Sequence, residues 1–171
     1  MPADAVMPVS VVIERRVSSN PWCDHTWHAV GVLPRFKGAR GTLLASGDGW
    51  EQYDAGGLDL ELFRRETEGY LSNLSQNPPV VFVVLRRSES DDGLEYEPFL
   101  VTACPYEAMS YGAAGEEIVE GVPMPPEILA WVGEFVALHH VDEPFIKRKN
   151  KRHEDDYGGK APVAERGRGL S

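Results

Sequence analysis

Cys23, Asp24 and His25 stand side by side, and His28 follows three residues later. A thiolate, a carboxylate and two imidazoles are the donor types of a zinc site, or of a cysteine nucleophile with its base. A metal needs its donors on one side of the chain and a fourth ligand. The segment that follows reads as extended, and an extended chain turns His25 and His28 to opposite faces. The cluster therefore reads as the approach to a strand, and neither a metal site nor a catalytic residue is assigned to it.

A second group, His139-His140, comes at the end of a long helical pattern, with Asp142 and Glu143 just beyond. Successive helix positions diverge by about 100°, so the two imidazoles do not share a metal. A histidine in the last helical turn suits the negative end of the helix dipole. Four tryptophans, Trp22, Trp27, Trp50 and Trp131, are large anchors. Trp131 falls on an apolar helix stripe and reads as core. Trp22 follows Pro21 in a turn, where it is either an exposed contact residue or a lid on a sheet edge.

The sequence has no GxxxxGK[ST] loop and no GxGxxG after a strand, so no phosphate cradle is readable. Gly47-Asp48-Gly49 is a tight turn. Lys147 to Arg152 (KRKNKR) is a basic run that suits phosphates or acidic partners. No aromatic residue interleaves it, which argues against stacking on single-stranded nucleic acid.

The elements that must position these residues follow from periodicity. Pro8 to Val17, Trp27 to Leu33, Thr42 to Ser46, Trp50 to Tyr53 and Leu58 to Leu62 read as strands. Trp27, Ala29, Gly31 and Leu33 should share one face of the second. Phe63, Thr67, Tyr70 and Leu74 then fall at helical spacing, and Asn77-Pro78-Pro79 ends that helix. Val80 to Leu85 is continuously apolar, as in a central strand covered on both faces. Tyr96 to Cys104 returns beside it. Pro105 opens a short helix to Tyr111, Ile118 to Val122 is a last strand, and Glu127 to about His140 is the longest helix. About seven strands with three helices, the longest near the C-terminus, imply an α+β fold on a mainly antiparallel sheet. Residues 1–9 read as a frayed N-terminus, 10–146 as one domain and 147–171 as a basic, largely disordered tail.

The 171 residues suffice for one domain. Net charge is −10, unevenly spread: residues 1–143 carry −14 and residues 144–171 carry +4. An acidic body repels nucleic acid and anionic lipid. No apolar run approaches the length of a membrane span, and Met1 to Val9 lacks the pattern of a secretory signal. Cytoplasmic placement follows as an expectation, with Cys23 and Cys104 as reduced thiols at small buried positions.

Several stretches together resemble a bacterial family catalogued as domain of unknown function 3305. They are Val11 to Arg16, Asn20-Pro21-Trp22, Trp27 to Leu33, Leu60-Glu61-Leu62, Glu66 to Asn73 and Val83 to Arg86. Pro105 to Ala108, Val122 to Pro125 and His139 to Phe145 complete the likeness. The resemblance covers roughly residues 10–150. It implies an association with molybdenum- or tungsten-dependent formate dehydrogenase. Members are often labelled molybdopterin-guanine dinucleotide biosynthesis protein A. That label conflicts with the residues here: Val11 to Val17 is followed by Ser18-Ser19-Asn20-Pro21-Trp22, with no glycine loop and no lysine. The alternating strands also differ from a doubly wound parallel sheet.

The expectation is a non-catalytic accessory protein that uses no cofactor of its own. Its partner would be formate dehydrogenase or one of that enzyme's maturation factors, met through Trp22, His139, His140, Glu143, Phe145, Lys147, Arg148 and Lys149. The alternative is a molybdenum-cofactor biosynthesis enzyme that binds a pterin or nucleotide. Nucleic acid is a weaker candidate partner because of the acidic body.

Overall fold

A computed structural model describes residues 2–113 and 115–141. Among these residues the chain forms seven strands, one 3-10 turn and three α-helices, an α+β arrangement. In order they are β1 (Ala5–Val17), β2 (His25–Pro34), β3 (Leu43–Gly47), β4 (Trp50–Leu62), the 3-10 turn (Arg64–Glu66), α1 (Thr67–Leu74), β5 (Val80–Arg87), β6 (Tyr96–Thr102), α2 (Pro105–Ala108), β7 (Ile118–Pro123) and α3 (Pro126–His139). The strands make two sheets, ordered β2-β1-β4-β3 and β6-β5-β7, and every pairing is antiparallel.

The N-terminal stretch is no frayed end. β1 begins at Ala5, and Met7 and Val9 are fully buried in the core. Residues 5–9 pair with Leu58–Leu62, which fixes them in the sheet. Asp4 extends the anchoring, since its amide donates to the Leu62 carbonyl and its carboxylate accepts from the Arg64 amide.

Two strands expected from the Gly56-Gly57 break are one. β4 runs unbroken through it, because Gly56 takes a positive φ of 115° and lets the strand bulge opposite Val11. A second bulge corrects the expected facing of β2. Val12 pairs with Gly31 and Ile13 with Ala29, so Val30 is the extra residue. Beyond it the parity flips: Trp27, Ala29 and then Val32 face the core, where strict alternation would have chosen Leu33.

The core lies between the inner faces of the sheets and the stripe of α3. Val9, Val11 and Ile13 of β1, Val81, Val83 and Leu85 of β5, and Ile128, Val132 and Phe135 of α3 belong to one buried cluster. Trp131 is half-buried against this core. The sheets are joined at their flanks as well. Glu120 on β7 accepts the Ala29 amide of β2 at 2.6 Å, and its second oxygen lies 2.7 Å from His28 Nδ1. That carboxylate occupies a position where β2, an edge strand, would otherwise offer a free N–H.

α1 packs on α3 through Tyr70 and Phe135, ring centroids 6.1 Å apart. Tyr70 is fully buried, accepts the Phe63 amide and donates to Glu66. Asn73 on the same helix is a buried clasp. Its side chain bonds both the N–H and the carbonyl of Val80 and reaches the carbonyl of Ala103. The short helix after Pro105 stops at Ala108, earlier than expected.

Candidate partner-binding surface

The turn between β1 and β2 is built from its own side chains. Ser18 Oγ accepts the Asn20 amide and Asn20 Oδ1 accepts the Trp22 amide, each at 2.9 Å. The Cys23 amide returns to the Asn20 carbonyl, and the Ser18 amide to that of Asp24. Such side-chain-to-backbone bonds satisfy a turn locally and free it from the core. The product is a fixed loop with the Trp22 indole 90% exposed. Val17 beside it is exposed too, and its amide bonds Gly49 of the β3–β4 turn.

A shallow cavity opens at this end of the four-stranded sheet, lined by Arg15, Val17, His25, Trp50 and Glu51. Arg15 pairs with Glu51 and donates to Tyr53 Oη at 3.0 Å, while Tyr53 donates to Glu51 at 2.8 Å. The guanidinium also lies 5.8 Å from the Trp27 ring centroid and 5.5 Å from that of Tyr53, within cation–π range. The Arg15 hydrogen bond, helped by Tyr53, holds the Glu51 carboxyl below its usual range. Arginine and glutamate thus neutralise each other.

The cysteine–histidine cluster does not converge. The Cys23 thiol is exposed and donates to the His25 carbonyl, which corrects the expectation of a buried position; Cys104 is buried. His25 faces the Glu51 cavity, whereas His28 points to Glu120. Among the described residues no group of three or more His, Cys, Asp and Glu is placed to hold a metal. The helix-end histidines are tied to the body. The His139 ring packs on Phe135 with centroids 4.6 Å apart, and His140 Nδ1 lies 3.0 Å from Thr67 Oγ1. Of the residues expected to meet a partner, Trp22 is presented freely and the two histidines are half-buried. Glu143, Phe145, Lys147, Arg148 and Lys149 lie outside the described residues, as does the tail after Asp156.

One property of the surface was only partly legible in the composition. Among the described residues, eight of the nine lysines and arginines are in ion pairs. The ninth, Arg65, lies over the Phe63 ring at 4.4 Å. The excess of carboxylates therefore faces solvent without a cation to spare. Among the described residues no helix is long and apolar enough to cross a membrane.

The carboxylates predict an acid response. Glu14, bonded by Gln52 and by Arg16 against a smaller effect of burial, sits below its usual range, as does Glu51. Both contribute stability above the ordinary carboxylate value of about 4, and it is lost as pH falls through their folded values. Glu66 has the opposite sign: burial, then the Glu107 charge, push its carboxyl up. Its contribution is present at low pH and lost as pH rises through the folded value. Glu66→Gln, which keeps an acceptor for Tyr70, should raise the melting temperature at pH 7 and leave it unchanged at pH 4. Melting curves at the two pH values check this; a lowered melting temperature at pH 7 would contradict it.

Searches of curated proteins and of solved structures each found no match. The sequence profile of one family, described as "Protein of unknown function (DUF3305)", matches residues 8–149, from the core strand β1 through α3 and beyond. With most of its length inside that profile, the chain belongs to the DUF3305 family.

Proposed function

We propose that the protein is a non-catalytic accessory factor in the assembly or maturation of a molybdenum-dependent formate dehydrogenase, and that it acts by protein–protein contact. The observation that carries the contact reading is Trp22. A tryptophan 90% exposed on a self-bonded turn leaves a large apolar surface in water. Fixing the turn beforehand lowers the ordering cost of binding, and tryptophan is the residue type most enriched among interface anchors. The formate dehydrogenase part of the reading comes from the family resemblance.

The test is a tagged full-length protein expressed in its native host. Formate dehydrogenase or a maturation factor should co-purify with it. Trp22→Ala should reduce that recovery tenfold or more, the scale of a lost anchor. The melting temperature should stay within about a degree, since an exposed surface residue contributes little to stability. Recovery unaffected by Trp22→Ala removes this surface from the contact. Formation of a guanine dinucleotide from GTP and molybdopterin by the purified protein, abolished by a substitution in this chain, would replace the accessory reading with an enzymatic one.

A further inference from the structure

The two sheets have four outer strands, β2 and β3 on one and β6 and β7 on the other. An outer strand presents a row of backbone N–H and carbonyl groups that another chain can pair with, and proteins block or cover such rows. β2 and β7 are joined by the Glu120 carboxylate, which takes the Ala29 amide. β6 carries Pro98, which has no N–H, with Glu97 beside it, and its Tyr96 carbonyl accepts from Arg40. β3 reads Leu43-Leu44-Ala45-Ser46-Gly47, without charge or proline. Among the described residues it pairs with β4 on one side and with no strand on the other.

The direction of its free groups follows from the register. Gly47 and Trp50 flank the two-residue turn Asp48-Gly49 and pair with each other, so their bonds point inward. Bonds alternate along an antiparallel ladder, so the N–H and carbonyl of Ser46 point away from β4. Among the described residues neither group has a backbone partner. The bulge at Leu44 lies toward the other end of the strand and leaves Ala45 to Gly47 in regular register with Gln52 to Trp50. It also leaves Leu43 and Leu44 side by side in water, 52% and 43% exposed. Past Gly47, the Gly49 carbonyl accepts the Val17 amide. The free edge therefore ends beside the strand end that leads to the Trp22 turn.

We propose that β3 takes on an extended segment of another protein as a fifth strand of its sheet. Backbone bonds at Ser46 hold the segment, and its apolar side chains lie beside Leu43 and Leu44. The segment carries no acidic residues, because the chain has a net charge of −10 and the ion-paired cations of the body are already engaged. The same charge opposes a second copy of this chain on the edge, since two chains of net charge −10 repel each other. The proposal rests on the reading of the protein as one that acts by contact, and adds how the partner's chain is held.

The test is selection of a random 12-residue phage-displayed peptide library on the full-length protein, followed by fluorescence anisotropy of a selected peptide. Selected sequences should alternate apolar with neutral or basic residues. Amide exchange at Ser46 should slow in the peptide complex. Ser46→Pro keeps the inward bonds of β3 and removes the outward N–H, and should weaken the peptide roughly tenfold or more. Leu44→Lys sets a charge on the exposed edge and should weaken it several-fold. Melting curves on each variant exclude unfolding, and Leu44→Lys keeps the test decisive if Ser46→Pro is unstable. The peptide is independent of the native partner's identity, so a pull-down without formate dehydrogenase would fell that reading and leave this one standing. No enrichment, an acidic or non-alternating consensus, binding indifferent to both β3 variants, or slow exchange at Ser46 in a dimer of the protein without peptide would overturn the proposal.

Discussion

Phe135→Ala should cost roughly 3–5 kcal/mol of folding stability, the range for emptying a buried aromatic site. Phe135 is 6% exposed and fills the seam between α3 and α1. It meets Tyr70 edge-on at 6.1 Å on one side and the His139 ring at 4.6 Å on the other. The fully buried Tyr70 is held by its hydroxyl, which accepts the Phe63 amide and donates to Glu66, and this limits its movement into the space. Urea titration of wild type and variant measures the effect directly, and a loss below about 1 kcal/mol would show that the seam closes. His139→Gln with His140→Gln makes an instructive contrast. Free helix-end histidines would cost nothing to replace. The packing of His139 on Phe135 and the contact of His140 with Thr67 instead imply a loss of about 1 kcal/mol, well short of the phenylalanine.

Arg40→Ala should be the most damaging change to a charged residue. One guanidinium donates to the Ala55 carbonyl of β4, to the Leu94 and Tyr96 carbonyls, to Ser88 Oγ and to the Asp92 carboxylate. It ties the bulge of β4 to both ends of the β5–β6 hairpin loop. Removing it takes the guanidinium donor from three carbonyls at once. Hydrogen bonds to a charged group are worth about 1.5–3 kcal/mol, and one side chain carries several. A loss of about 3 kcal/mol is expected, or roughly 10 °C in melting temperature for a body of this size. Arg40→Lys should recover less than half, because an ammonium keeps the attraction to Asp92 but cannot span the carbonyls. Full recovery by lysine would mean that charge, rather than the forked geometry, holds the loop.

The elements were largely legible because most of them announce themselves locally. Leu60 and Leu62 alternate with acids and are fully buried. The Pro125-Pro126 start and the Ile128, Val132, Phe135 stripe give α3 with its bounds nearly right. What stayed hidden depends on partners distant in the chain. Whether Gly56-Gly57 ends a strand or bulges it is decided by Val11 across the sheet, and the flip at Val30 is decided by Ile13. The exposed one of the two readings of Trp22 was open in the sequence because Asn20-Pro21 makes its turn with no outside help. The Asn73 clasp gave no such sign, since Val80 and Ala103 are brought to its side chain only by the fold. Arg40 gave no signal at all: in the sequence it is one basic residue in a glycine-rich loop, and all its partners lie fifteen or more positions away.

The placement of β1 sets the order in which the molecule can be built. The first strand of the chain lies inside its sheet, flanked on one side by β2 and on the other by β4. Its outer pairs join Ala5 to Leu62 and Arg16 to Trp50. During synthesis, at about 5–20 residues per second, β1 and β2 can meet as a hairpin within seconds. The other edge of β1 then waits, its amides and carbonyls unpaired, until β4 has left the ribosome. Met7, Val9, Val11 and Ile13, the most deeply buried side chains of the native strand, are in water for that interval. A nascent chain that has emerged only as far as a point between residues 35 and 62 therefore exposes a long, apolar, half-paired ribbon, the form of β-structure most prone to recruit another like itself.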